Sequence, residues 1–243
     1  MYKKRQEIVF LYFIINKSIK SKLNLENYVK RYLVRSRNKM DEIVFVTHNK
    51  GKIASASKQL QGVNFKVFEY DLEEPRSDDI KYISKYKVME AYKMVNKPCI
   101  SLDCGFWIDE LAGFPRAFVN FSLDTIGING LLKLMEEKEN RSCRFTECLS
   151  YYDGNELHQF MGRHEGTLSE KVAGNDTDKK WSDLWYIFKP YGYDKTLAQM
   201  TDVERANRKR YESIDAMREF AKWYKEENEI CSSCPSVAFV VGV

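Results

Sequence analysis

The feature that most constrains this chain is an alternation of short apolar runs with helix-spaced apolar stripes. Ile43, Val44, Phe45 and Val46 form a buried-strand run, and residues 63–68 and 99–102 form two more. Between the first two runs, Ile53, Ser57 and Leu60 recur at helical spacing. Between the second and third, Ile80, Ile83, Ala91 and Met94 do the same. Strand, helix, strand, helix, strand is the α/β alternation. Ser77, Asp78 and Asp79 suit the start of the second helix, because short polar and acidic side chains cap the exposed N–H groups there.

Further along, residues 105–121 are aromatic and punctuated by Gly and Pro, which predicts an ordered loop with one helical turn. Residues 128–135 are expected to be helical. Residues 143–152 and 157–168 are strand-like, joined by the turn Asp153-Gly154-Asn155. A polar loop is expected over 169–180 and a last strand over 184–188. Ile214, Met217, Phe220, Ala221 and Tyr224 make the apolar face of a C-terminal helix.

The net charge of +4 conceals two unlike parts. Residues 1–39 hold eleven Lys/Arg against two Asp/Glu, whereas the remainder holds 28 against 33. The body is therefore slightly acidic, and the overall charge argues little for a nucleic-acid footprint, which would need a basic stripe on the folded body. Its organised pattern begins after Met40. The expected division is a basic N-terminal extension over 1–39, one domain over 40–227 and a tail over 228–243. In the extension, Leu25, Tyr28, Val29, Tyr32 and Leu33 sit at helical spacing among Lys30, Arg31 and Arg35, as in a basic amphipathic helix or a loosely attached arm. The longest apolar run, 8–15, is far short of the roughly 20 residues a membrane span needs. Six scattered cysteines fit reduced thiols and a cytoplasmic setting. No second pair or neighbouring His completes a zinc site with Cys231 and Cys234.

Three places can carry chemistry. The turn Thr47-His48-Asn49-Lys50-Gly51-Lys52 leads from a strand into a helix. Free N–H groups and two lysines there attract phosphate, although such a turn is often only a turn. Lys87 falls inside the apolar stripe of the second helix, where it must either snorkel or meet an anion. Asp103 ends the run 99–102, at the sheet edge where α/β folds bind ligands, and Glu73 and Glu74 follow the second run. Two carboxylates from different loops suit Mg²⁺, which takes its remaining ligands from phosphate and water.

Together these segments resemble the inosine triphosphate pyrophosphatase-like family. Thr47 to Lys52 is similar to its T-x-N-x-x-K signature, and Asp71-Leu72-Glu73-Glu74 to the segment ending in its metal-binding glutamate. Lys87 matches its helix lysine. Asp103-Cys104-Gly105 with Leu111-Ala112-Gly113-Phe114-Pro115 resembles D-S-G…L-x-G-x-P, and Gly162 with Gly166 its G-x-x-x-G hairpin. The likeness runs from about residue 42 to 224. It departs where Leu102 replaces the first of two acids and Arg116 replaces a glycine. Trp181-Ser182-Asp183-Leu184-Trp185 stands for the base-pocket motif Phe-Gly-aromatic-Asp, and Arg208-Lys209-Arg210 for Ser-His-Arg.

The resemblance implies an α/β fold with a central mixed, twisted sheet flanked by helices. It implies Mg²⁺-dependent (or Mn²⁺-dependent) cleavage of inosine- or xanthosine-type nucleoside triphosphates to monophosphate and pyrophosphate, by a cytoplasmic homodimer with no nucleic-acid or membrane partner. Glu74 and Asp103 would hold the metal, with Asp103 and Lys52 catalytic. Thr47, His48, Asn49, Lys52 and Lys87 would bind substrate, with Arg205, Lys209 and Arg210 on the phosphates. Trp181, Asp183 and Trp185 would meet the base. Two alternatives stay open on the departures: a pyrophosphatase for another nucleotide, and a nucleotide-binding module without catalysis.

Overall fold

The computed structural model describes residues 42–175, 180–207 and 213–233. The N-terminal extension, Lys209, Arg210 and the end of the tail lie outside the described residues. Strands β1 (Ile43–Val46), β2 (Phe65–Phe68) and β3 (Cys99–Ile108) are joined by helices α1 (Lys50–Gln59) and α2 (Ile80–Val95). After a 3₁₀ turn at Asp109–Leu111 come the two-residue β4 (Pro115–Arg116), α3 (Val119–Thr125) and α4 (Gly127–Leu134). The long hairpin of β5 (Ser142–Tyr152) and β6 (Leu157–Leu168) follows. The chain continues through β7 (Phe188–Pro190), α5 (Asp202–Asn207) and β8 (Ser213–Ile214) to α6 (Ala216–Ser233).

These strands make one mixed sheet in the order β2-β1-β3-β5-β6-β7, with β4 beside β3 and β8 beside β6. β1 pairs in parallel with both β2 and β3, whereas β3, β5, β6 and β7 run antiparallel. The chain leaves β1 toward one neighbour and returns on its other side, so the carboxyl end of β1 is a switch point where a crevice opens. Residues 42–225 form one compact unit, and of the second unit only 226–233 are described.

Alternation along β3 divides the interior. Ile100 and Leu102 pack with Phe45, Leu149 and Phe220 against α6. Cys99 packs with Val44 and Val88 toward α2. Phe106 and Ile108 belong to a third cluster with Leu131 and Phe188. Phe106 is fully buried, and truncating such a side chain to Ala costs about 3–5 kcal/mol. On the α2 side the contact is small and polar. Ser84 Oγ donates to the Cys148 carbonyl at 2.9 Å and lies 2.8 Å from Ser150 Oγ, and Ser101 Oγ donates to the Ser84 carbonyl at 3.0 Å. Serines let the helix lie close on the sheet. That close approach brings Lys87, one turn beyond Ser84, over Asp103, two residues beyond Ser101 on the same face.

Local reading of the sequence holds for most elements and fails at five places. β3 does not stop at 102. β5 pairs with all ten of its residues, so Gly105 is a strand position and Asp103 lies mid-strand, although level with the end of β1. Residues 184–188 are not a strand: Asp183–Tyr186 is a 3₁₀ turn before β7. Ile214 belongs to β8 and is 54% exposed, so the apolar face of α6 starts at Met217. In α1 the buried positions are Gly51 and Ala56, while Ser57 faces solvent. In α2, Met94 is exposed and Ser84 and Val88 take the inner face.

Candidate active site

A cleft of about 400 Å³ opens at the carboxyl end of β1. One end is built by local backbone geometry. Asn49 is extended (φ −78°, ψ 108°) and caps α1, its Oδ1 accepting from the Lys52 N–H at 3.0 Å. Thr47 Oγ1 accepts from the Asn49 N–H at 3.2 Å. Lys52 Nζ reaches across to donate to the Leu102 carbonyl at 2.7 Å, next to Asp103. Asp79 caps α2 by accepting from the N–H groups of Lys81 and Tyr82, which fixes the rotation of the helix carrying Lys87.

The Lys87 ammonium lies 2.8 Å from both Glu74 Oε1 and Asp103 Oδ1. Its side chain is 12% exposed and that of Asp103 is 6% exposed. Burial alone would push the lysine pKa down. The Asp103 and Glu74 carboxylates outweigh that and hold it above the usual lysine value, so the ammonium stays charged. The two carboxylates thus converge on one cation, and Asp103 Oδ2 is buried without a hydrogen-bond partner among the described residues. Among the described residues no three His, Cys, Asp or Glu side chains converge as a metal group. A two-carboxylate pair with a spare buried oxygen suits a hard cation that draws its remaining ligands from phosphate and water. His48 also lines this end, with Nδ1 3.0 Å from Asp71 Oδ1.

The other end has aromatic walls. Trp181 and Trp185 line the cleft. The Trp181 carbonyl accepts from Asn49 Nδ2 at 3.0 Å, and its indole N–H donates to Ser55 Oγ at 3.0 Å. Gly51 permits this junction: a Cβ there would stand 2.5 Å from the Lys180 carbonyl oxygen and 2.7 Å from the Trp181 ring. Asp183 does not join the wall. It is 54% exposed and pairs with Lys180 at 3.1 Å, because the 3₁₀ turn rotates it outward. Arg205 lines the cleft but is not poised as a phosphate clamp. Its guanidinium donates to the Leu197 and Met200 carbonyls and to Asp202, and lies 5.5 Å over the Trp185 ring. It braces the tryptophan.

The sequence reading missed several cleft residues, namely Glu147, His164, Asp215 and Arg218. Asp215 Oδ1 accepts from the Arg218 N–H at 3.2 Å at the start of α6. Glu147 and His164 are buried and joined by a 2.8 Å contact. The available signal was a lone acid in the apolar run 143–152 and a histidine between Gly162 and Gly166.

The sequence profile of the Ham1 family matches residues 43–221. The chain belongs to the Ham1 family. It is 33% identical over 186 residues to a dITP/XTP pyrophosphatase of Thermococcus kodakarensis, covering 76% of this chain and 97% of that protein. It is 32% identical over 170 residues to inosine triphosphate pyrophosphatase 2 of Trypanosoma cruzi, covering 68% and 83%. In fold it is similar to the Ham1 protein of Staphylococcus aureus, with TM-score 0.62 and 24% identity over 76% of this chain and 99% of that one. It is likewise similar to a HAM1 protein of Coxiella burnetii, with TM-score 0.65 and 20% identity over 77% and 100%. The mixed sheet flanked by helices is therefore the Ham1 fold. Its phosphate-type turn, acid pair and inward lysine all lie within the matched span.

Proposed function

We propose that this Ham1 protein hydrolyses dITP, XTP and related non-standard purine nucleoside triphosphates to the monophosphate and pyrophosphate. The observation that carries this is the Lys87 ammonium held between Glu74 and Asp103 inside the cleft, with Lys52 beside them. Relatives named for this activity across most of the chain's length support it.

Glu74 and Asp103 would hold Mg²⁺, or Mn²⁺ in its place. Such an ion supplies charge neutralisation on the phosphates and orients the leaving pyrophosphate. Lys52 and Lys87 clamp phosphate oxygens, and the α1 turn at Thr47, His48 and Asn49 positions the chain of phosphates. Asp103 accepts the proton of the attacking water through its second carboxylate oxygen, which has no partner among the described residues. Trp181 and Trp185 stack on the base, which shields the anhydride from bulk water. The test is a panel of nucleoside triphosphates scored for pyrophosphate release with and without Mg²⁺. Turnover of dITP and XTP above ATP and GTP is expected. Release of orthophosphate, or binding with no turnover at any Mg²⁺ or Mn²⁺ concentration, would overturn the assignment.

The protein acts as a homodimer in the cytoplasm. Phe114, Phe118, Phe121, Ile126 and Leu134 expose apolar area on and around α3 and α4 that a second copy would cover. Cys99, Cys104, Cys143 and Cys148 are free thiols, which fits a reducing compartment. No described helix is long and apolar enough to cross a membrane.

A further inference from the structure

Glu147 and His164 lie on neighbouring strands of the β5–β6 hairpin, on one face. Glu147 stands opposite Gly162 in register, and His164 is the next residue on that face of β6. Gly162 makes their meeting possible: a Cβ there would come within 2.6 Å of Glu147 Oε2 and 2.8 Å of the Ala216 nitrogen. With that side chain absent, His164 leans across to place Nε2 2.8 Å from Glu147 Oε1, while the Ala216 N–H lies 3.4 Å from Oε2. Glu147 is 4% exposed and His164 7%. Burying such a pair is not in itself a gain in stability, since desolvation offsets the attraction.

Three further facts give the pair a direction. Both residues line the cleft, together with Trp181 and Trp185. The Ala216 N–H that meets Glu147 belongs to the core cluster against which Trp181 packs, which sets the pair on the tryptophan side of the cleft. A carboxylate only accepts, so Nε2 carries the ring proton toward Glu147. Nδ1 of the neutral ring is then an acceptor, and it is buried with no partner among the described residues. A lactam purine such as hypoxanthine or xanthine presents a ring N–H at N1, which is the group such an acceptor takes.

We infer that Glu147 and His164 form a specificity element, in which Glu147 fixes the tautomer of His164 and His164 Nδ1 accepts the N1–H of a lactam purine base. This rests on the pyrophosphatase reading for its substrate but is testable apart from it. Glu147 is a positioning residue, and His164 touches the base. A purine base without the lactam, as in purine riboside, has a lone pair at N1 and faces Nδ1 with a second acceptor.

The experiment is a tryptophan-fluorescence titration with inosine 5′-monophosphate and purine riboside 5′-monophosphate, neither of which has an anhydride to cleave. Wild type is expected to prefer the inosine nucleotide. His164→Leu should lower that preference about ten- to hundredfold, the range for losing a hydrogen bond in a desolvated site. His164→Asn, which keeps a polar atom near the place of Nδ1, should restore part of it. Glu147→Leu should act like His164→Leu. Equal weakening of both nucleotides, or an unchanged preference in His164→Leu, would overturn the inference. If His164→Leu does not fold, as judged by circular dichroism, Glu147→Leu decides: an unaltered preference there defeats the proposal. Absence of pyrophosphate release from every triphosphate would remove the enzymatic reading while leaving this titration decisive for the pair.

Discussion

The two ends of the cleft are built in opposite ways. At the phosphate end, each side chain is placed by its own backbone. Asn49 caps the helix that carries Lys52, and Asp79 caps the helix that carries Lys87. At the base end, the residues come from a hairpin floor, a 3₁₀ turn and the start of α6, and meet only through tertiary contacts. Charge follows the same division: lysines with two convergent acids at one end, aromatic rings and a buried acid–imidazole pair at the other. A site that performs one chemistry on many nucleotides needs a fixed phosphate grip, whereas its base wall is free to diverge.

The sharpest way to break this division is at the phosphate end. Asp103→Asn should lower pyrophosphate release about a thousandfold or more, since it removes both a metal ligand and the proton acceptor. Monophosphate binding, followed by tryptophan fluorescence, should fall far less. Lys87→Met comes next, with an expected loss of about a hundredfold in kcat/KM. It should also destabilise the fold by about 1–3 kcal/mol in a urea titration, because Asp103 is left buried without its counterion; half-exposed Glu74 contributes little. At the base end, Trp185→Ala should raise KM about tenfold and leave kcat nearer wild type, the value of one base–aromatic stack. If kcat instead collapsed with KM unchanged, the ends would not be separable. Gly51→Ala tests the junction between them. Its Cβ would push the Lys180–Trp181 loop away, so KM should rise severalfold with phosphate-only binding kept, measured with tripolyphosphate as competitor.

The smallest effect is expected at Arg116. It holds a left-handed φ of 58° and pairs with Asp78 at 2.6 Å in an exposed bridge. Arg116→Gly relieves the strain but loses the bridge, so the midpoint of thermal unfolding should move by less than about 1 kcal/mol equivalent.

How much could be read from the sequence follows the same division. Thr47, Asn49, Lys52 and Lys87 were legible because turn chemistry and helical periodicity are local signals. Asp103 was legible as a residue but not as a mid-strand one. The pairing that carries β3 on to Ile108 depends on β5, some forty residues later. Asp183 was misplaced for a related reason: motif spacing assigns a slot, but the 3₁₀ turn decides where the side chain points. Arg205 offered a positive charge, and only the packing shows that the charge is spent on carbonyls and Trp185. Glu147 and His164 escaped notice because each looks ordinary alone. They become a pair only when the strands are set in register and Gly162 leaves the gap.

The bond from Asn49 to the Trp181 carbonyl spans 132 positions of sequence, and the one from Trp181 to Ser55 spans 126. The helix caps and Lys87 come from the first third of the domain, whereas the indole that closes the wall comes from beyond the hairpin, so the two ends of the cleft are tied together by contacts between distant parts of the chain.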